Sequence, residues 1–343
     1  MPKTSKKRTA VIFTGLLSLV MAVLIVGFGL FFIRPAEKVG EDQIIIVQEG
    51  MSLKDVAGRL ESNGLITNRI FFILWARLMG YSRMIKAGEY RLSSNMAPIR
   101  IVEILTRGII ITHSITVPEG FSVNQIGILL AKKKLVGKQR FFSLAHNLDF
   151  LKKYGISGPG LEGYLYPDTY QFGRGLSEAS IIETMINRFR EVIEPYKKRI
   201  EESGMTLEEV VMLASIVEKE TGSAEERPII ASVFLNRLKK RMRLESDPTV
   251  IYGIKDFTGN LTRKDLSEYS PYNTYVIKGL PPGPISNPGL ESIKAVLYPA
   301  ETNYLYFVSK NDGFHYFSKT LEEHNRAVKI YQKRRPVKPK RSS

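Results

Sequence analysis

The chain has 343 residues and no cysteine, which excludes a disulfide framework, a thiolate nucleophile and any cysteine-based metal site. Histidine is scarce as well. His113, His146, His315 and His324 are scattered and form no spaced ligand set, so neither a metal nor another cofactor is expected. Acidic residues are in deficit, 34 against 50 basic ones, for a net charge of +16. Such a balance raises nucleic acid as a partner, but the charge is concentrated at the ends. Lys3, Lys6, Lys7 and Arg8, with seven basic residues from Lys329 to Arg341, supply +11 and leave the body only about +5. Terminal runs of this kind are solvated tails or surface anchors. No nucleic-acid motif accompanies them, so no nucleic-acid partner is expected.

Long apolar runs are confined to the N-terminus. Ala10 to Ile33 carries no charge, and 24 residues at helical rise more than cover a hydrocarbon core of about 30 Å. The run is too long for a signal-peptide core, and the exit "FFIRPAEK" has no small-x-small cleavage site. It reads as an uncleaved single-pass span in a lipid bilayer, residues 10–33. Four basic residues precede it, against Arg34 and Lys38 after it, so residues 1–9 are expected in the cytoplasm and everything beyond the span outside it.

Past a linker at 34–42, "IIIVQEGMSLKDVAGRLESNGLITNRIFF" (44–72) returns seventy residues later as "ITVPEGFSVNQIGILLAKKKLVGKQRFF" (115–142). Glu49-Gly50, Ser52, Leu60, Leu65 and Phe71-Phe72 recur without a gap as Glu119-Gly120, Ser122, Leu130, Leu135 and Phe141-Phe142. The repeat predicts a strand, a capped helix and a second helix start. Such a unit resembles the LysM module, which binds glycans containing N-acetylglucosamine. By itself the pattern fits a plain αβ packing unit equally well.

The Gly/Pro-punctuated "GPGLEGYLYPDTYQF" (158–172) opens the remaining region. Helices are expected at about 177–198, 206–220 and 224–241, then Pro/Gly-rich loops. A hairpin "YLYFVSKNDGFHYF", turning at Asn311-Asp312-Gly313, follows. A last amphipathic helix is expected from about Thr320 to Gln332. Helices and hairpins are segregated, which makes the fold class α+β.

The helix 206–220 begins with the capping box Thr206-x-x-Glu209 and ends in "LASIVEKETG". At 100° per residue Glu218 falls within about 40° of Leu207, Val211 and Ala214, on an apolar stripe, whereas Glu220 projects to nearly the opposite side. Glu220 therefore reads as a solvated helix-end charge. A carboxyl against an apolar wall has its ionised form disfavoured and its pKa raised, as a general acid requires. The plainer alternative for Glu218 is a helix-end ion pair with Arg227, Arg237 or Lys219.

Downstream, "ASVFLNRLKK" places Asn236 and Arg237 after an apolar stretch, and "MRLESDPTVIYG" is a proline-stiffened turn with Asp247, Thr249 and Tyr252. "SPYNTYVIKGLPPGPISNPG" brings Tyr272, Asn273 and Tyr275 ahead of a rigid loop. Each taken singly reads as a turn residue or a half-buried tyrosine. Together, rings that stack on pyranose faces and amides that bond hydroxyls describe the lining of a sugar cleft.

"LEGYLYPDTY", "LASIVEKE", "VFLNRL", "LESDPTVIYG", "SPYNTY", "GLPPGPISNPG" and "YLYFV" occur here in the order seen in the YceG-like endolytic murein transglycosylases. The resemblance runs from the apolar N-terminal segment to about residue 332. It implies a LysM-like domain at 43–110, a second repeat at 111–157 joining the domains, an α+β catalytic domain at 158–332 and a basic tail at 333–343 outside the shared region. It also implies location in the cell inner (plasma) membrane, peptidoglycan glycan strands as the partner and peptidoglycan synthases as possible further partners. It maps the catalytic glutamate onto Glu218, the first of "SIVEKE". The implied reaction cleaves the β-1,4 bond from N-acetylmuramic acid to N-acetylglucosamine, with a 1,6-anhydro ring closing on the muramoyl side. One carboxyl would serve as acid and then base, whereas a muramidase needs a second carboxylate, for which Asp247 and Asp168 are candidates. Asn236, Asp247, Thr249, Tyr252, Tyr272, Asn273 and Tyr275 are the expected glycan-holding residues. A catalytically silent, membrane-anchored binding scaffold is the alternative. Tyr166 and Glu245 depart from the pattern, standing where phenylalanine and glutamine are common.

Overall fold

The structure, a computed structural model, describes residues 3–255, 257 and 259–332. The expected basic tail at 333–343 lies outside the described residues. The chain divides into two compact units, Met1–Ser114 with Gln171–Ser177, and Ile115–Tyr170 with Glu178–Ser343.

The first unit opens with helix α1 (Lys3–Ile33), within which Phe13–Ile33 is long and apolar enough to cross a membrane. Strand β1 (Asp42–Val47) follows, then α2 (Leu53–Ser62), α3 (Arg69–Leu78), β2 (Gly88–Ser93) and α4 (Pro98–Arg107). β1 and β2 pair antiparallel, from Asp42 opposite Ser93 to Val47 opposite Gly88. The core beneath them is built from Val56, Leu60, Leu65, Phe72, Tyr90, Leu92, Ile101 and Leu105, each 1% exposed or less. Every such aliphatic side chain contributes about 1.5–3 kcal/mol of burial.

β3 (His113–Thr116) pairs with β4 (Thr169–Phe172), and the helices that follow β3 belong to the second unit. Between β3 and β4 lie α5 (Val123–Lys132), α6 (Lys138–Ala145) and α7 (Leu148–Lys153). Then come α8 (Glu178–Ile193), α9 (Lys197–Ser203), α10 (Leu207–Glu220), α11 (Arg227–Lys239), α12 (Asp247–Gly253), α13 (Arg263–Ser267) and α14 (Leu290–Leu297). The hairpin β5 (Tyr306–Ser309) and β6 (His315–Ser318) turns through Asn311 and Gly313, both at positive φ, and α15 (Leu321–Tyr331) is the last element among the described residues. Helices with small, separate sheets agree with the mixed class expected.

The repeat is physical. Ser52 with Asp55, and Ser122 with Gln125, both form complete capping boxes, each contributing about 1 kcal/mol. Gly50 and Gly120 both take left-handed φ, +84° and +72°, which their shared turn requires. Leu60 and Leu130 are both fully buried.

α10 is the central helix of the second unit, packed by α11, α12 and α14. Val210, Val211, Leu213, Ala214, Ser215, Ile216 and Val217 are all buried. Apart from its ends, the helix has no solvent face.

Candidate active site

The end of α10 presents two carboxyls to two different environments. Glu218 points at the start of α14. Its Oε2 accepts the Gly289 backbone N–H at 3.0 Å and the Ser292 hydroxyl at 2.7 Å, and its Oε1 lies 3.6 Å from the Arg227 guanidinium. The side chain is only 7% exposed. These neighbours are donors and a cation, not the apolar wall expected from the helical wheel. The helix-end pairing with Arg227 is the arrangement found.

A second carboxylate shares that cation. Glu119, from the second repeat, lies 3.8 Å from Arg227 and packs over Gly289, where any added Cβ would strike its carboxyl. Desolvation and then the charge of Glu218 hold the Glu119 pKa above the usual carboxylate range, opposed by Arg227.

Glu220 contradicts its reading as a solvated charge. Its Oε1 accepts the Ser246 hydroxyl at 2.5 Å, and desolvation, reinforced by Asp247, pushes its pKa up to about 7. Ser246 and Arg237 work against that rise. The carboxyl lines a cavity of about 440 Å³ that also takes in Arg237, Glu245, Asp247, Tyr275, Tyr306 and His324. The wheel misassigned it because it measures faces of the helix alone. With α10 enclosed nearly all round, tertiary neighbours decide which end residue meets a cavity.

The remaining walls are rigid. Arg237, 8% exposed at its side chain, donates to the Leu305, Arg243 and Leu244 carbonyls and to Glu245 Oε2 at 2.9 Å, with its guanidinium 5.0 Å from the Tyr306 ring centre. Tyr306 stacks on His324 at 5.4 Å. Burial and the charge of Arg237 lower the His324 pKa, which disfavours its protonated form. Tyr275 donates its hydroxyl to Asp247 Oδ1 at 2.6 Å, and burial drives its own pKa upward. Glu245 holds a left-handed φ of +52°, uncommon for a residue with a Cβ.

Of the residues expected in a cleft, the structure brings Asp247 and Tyr275 together with Glu220. Asn236, Asn273, Thr249 and Tyr252 spend polar groups on partners inside the protein. Asn236 donates to the Thr302 and Tyr304 carbonyls, and Asn273 to the Asp265, Leu266 and Glu268 carbonyls. Thr249 is fully buried, donating to the Ser246 carbonyl and bonded to Thr274. Tyr252 donates to Glu162 at 3.1 Å and tilts against the half-buried Tyr272 at 4.9 Å. Asp168, the other candidate second carboxylate, pairs with Arg188 at 2.7 Å.

Sequence reasoning missed Glu162, in "LEGYLYPDTY". It is 8% exposed and accepts from the Val123 N–H, the Tyr252 hydroxyl and the Asn287 amide. Desolvation outweighs those donors and pushes its pKa up to about 7. Also missed was Glu226, whose two oxygens take the His315 backbone N–H at 2.8 Å and ring Nδ1 at 2.7 Å. A carboxylate so placed in "SAEERP" gives no local signal.

Residues 45–330 match the model of the YceG-like family. The chain belongs to that family. Among its relatives is the endolytic murein transglycosylase of Bacillus subtilis (strain 168), 34% identical over 321 residues, an alignment covering 89% of each chain. A Streptococcus pneumoniae (serotype 2) protein of the same name is 28% identical over 82% of this chain but only 57% of its own length. A YceG-like protein from Listeria monocytogenes, solved by crystallography, is 36% identical with a TM-score of 0.59, covering 84% of this chain and all of that one. In this YceG-like chain, the Glu220 cavity draws part of its wall from the motifs that carry the likeness, "LASIVEKE", "VFLNRL", "LESDPTV", "SPYNTY" and "YLYFV", and the rest from Ser309, His315 and the α15 face.

Proposed function

We propose that this chain is a lytic murein transglycosylase, anchored by residues 10–33, with Glu220 as its general acid and base. One observation carries the assignment: Glu220 lines a cavity of sugar-binding size walled by rings, an arginine and hydroxyls, and desolvation there raises its pKa to about 7. Glu218, the residue expected beforehand, has its carboxylate held between α14 and Arg227, which suits a strap between helices.

In this reading, protonated Glu220 donates to the glycosidic oxygen as the bond from muramoyl C1 to that oxygen breaks. The resulting carboxylate takes the proton from the muramoyl C6 hydroxyl, whose oxygen closes onto C1 as the 1,6-anhydro ring. The proton returns to Glu220 and the nucleophile comes from the substrate. Asp247, bonded by the Tyr275 hydroxyl, raises the Glu220 pKa through its charge and would stabilise the positive charge growing at C1. The relatives' name, endolytic murein transglycosylase, supports peptidoglycan strands as the substrate.

The strand–helix–helix–strand order from β1 to β2 supports reading 43–110 as a LysM-like glycan-binding domain, with 111–157 joining it to a catalytic domain at 158–332. Four basic residues ahead of the apolar helix support a cytoplasmic N-terminus and a catalytic domain outside the plasma membrane. An enzyme so tethered cuts a nascent strand at a set reach and ends its elongation beside the synthases that make it. Lengthening the "RPAEKVGED" linker should then lengthen the strands released.

The test is mass analysis of the products from uncrosslinked glycan strands, with wild type, Glu220→Gln and Glu218→Gln in parallel. Wild type should release ends one water lighter than reducing ends, and Glu220→Gln should not. Water-added ends from wild type would make the enzyme a hydrolase. Strand binding without any cleavage would make it a scaffold.

A further inference from the structure

The anchor helix does not leave the first unit behind when it ends. Phe28 and Phe31 of α1 meet Phe71 of α3 edge-on at 5.9 and 5.6 Å, and Phe32 stacks on Trp75 at 4.5 Å. The apolar segment Phe13–Ile33 has 21 residues, about 31 Å at helical rise, so Phe28 to Phe32 lie within roughly the last 8 Å of the hydrocarbon layer. α3 is packed against the anchor at that level.

α3 also carries an apolar face that, beyond the contacts of Phe71 with α1, the described residues of its unit leave exposed. Ile70 is 60% exposed, Leu74 51% and Leu78 75%, with Phe71 38% exposed beside them. At 100° per residue these four span about 100° of the helix, opposite the buried Phe72, Trp75 and Ala76. Exposed Arg77 lies at one edge of the stripe, positioned to reach toward phosphates while its stem stays in the apolar layer. The second repeat differs at this point. Arg140 stands where Ile70 does, and Phe141, the counterpart of Phe71, is fully buried. The contrast lies at these two positions, since Leu144 and Leu148 keep leucine where Leu74 and Leu78 stand.

We infer that α3 lies in the membrane interface, its Ile70–Leu74–Leu78 face in the acyl boundary of the leaflet where α1 ends, so that the first unit is seated on the lipid rather than swinging from the linker. The inference rests on the anchoring reading, because only a spanning α1 sets the depth of α3. Continuity with α1 selects lipid as the occupant, in place of a second copy or a soluble partner.

The absence of cysteine permits a clean test on the full chain. Single-cysteine variants Leu74→Cys, Leu78→Cys and Val20→Cys would carry an environment-sensitive fluorophore and be reconstituted into vesicles of phosphatidylcholine and phosphatidylglycerol, with nitroxides placed shallow or deep on the acyl chains. Probes at 74 and 78 should be quenched about two-fold more by shallow than by deep nitroxides, with the reverse order at 20. Quenching at 20 without quenching at 74 and 78 overturns the inference and leaves the anchor standing. Under that outcome a blue-shifted probe would point to a protein covering the face. Absence of quenching at all three sites overturns the anchoring reading, and the seating of α3 with it.

Discussion

The two sides of the α10 C-terminus hold the same chemical group two residues apart and treat it in opposite ways. On the Glu218 side, a backbone N–H, a hydroxyl and a guanidinium converge on one carboxyl. On the Glu220 side, one serine hydroxyl and a nearby Asp247 leave desolvation dominant. A carboxylate given donors serves as a strap. One deprived of water but left facing a cavity holds its proton near neutral pH and can release it to a substrate. The difference lies in what α11, α12 and α14 bring to each side, not in α10.

The largest expected effect separates the two sides directly. Glu220→Gln should lower kcat by about 10²- to 10⁴-fold with folding intact, read from product release against a thermal melt of the same preparation. Glu218→Gln should instead keep activity within about tenfold while costing about 1–3 kcal/mol of stability, because the amide disrupts a buried set of donors. An inactive, fully stable Glu218→Gln protein would invert the comparison and return the chemistry to the residue first expected.

How much of this was legible beforehand follows the range of the forces involved. The capping boxes at Ser52, Ser122 and Thr206, the turn at Asn311–Gly313 and the helix ending at Glu220 are local, and each stands where residue spacing places it. Asp247 and Tyr275 were legible as polar groups on stiff loops. Asn236, Thr249 and Asn273 look the same in sequence, but their groups are consumed by carbonyls up to 68 residues away. The contrast between the surroundings of Glu218 and Glu220 was not legible, because it rests on Gly289, Ser292 and Arg227 against Ser246 and Asp247. Only the last of these contacts is suggested by a stiff turn.

Two raised carboxyls also shape the pH dependence. Glu162 and Glu220 both move from 4.5 to about 7 on folding. A raised carboxyl pKa means that the native state binds the proton more tightly than the unfolded chain. The contribution is therefore complete below about pH 4.5, shrinks as pH rises and is lost above about 7. Wild-type stability should fall by roughly 3 kcal/mol for Glu162 alone across that window. Melts of Glu162→Gln at about pH 5 and pH 8 should show a flatter slope than wild type, whatever the cost of the amide at either pH. An unchanged slope would mean that the Val123, Tyr252 and Asn287 donors hold the anion after all. In activity, the same sign for Glu220 predicts that kcat/KM declines above about pH 7, tenfold per unit, as the acid loses its proton.

The smallest effect is the most discriminating. Arg237 pulls the Glu220 pKa down, and part of its charge is offset by Glu245 at 2.9 Å. Glu245→Gln removes that offset, at a pair whose carboxylate side is 44% exposed, so stability should change by less than about 1 kcal/mol. The freed guanidinium then acts more strongly on Glu220, and the alkaline limb of kcat/KM should move to lower pH by a few tenths of a unit. The same substitution in Glu218 chemistry should do nothing to the profile, because Arg227, not Arg237, faces that carboxyl. A limb that shifts with residue 245 therefore ties the titrating acid to the Glu220 cavity without touching the acid itself.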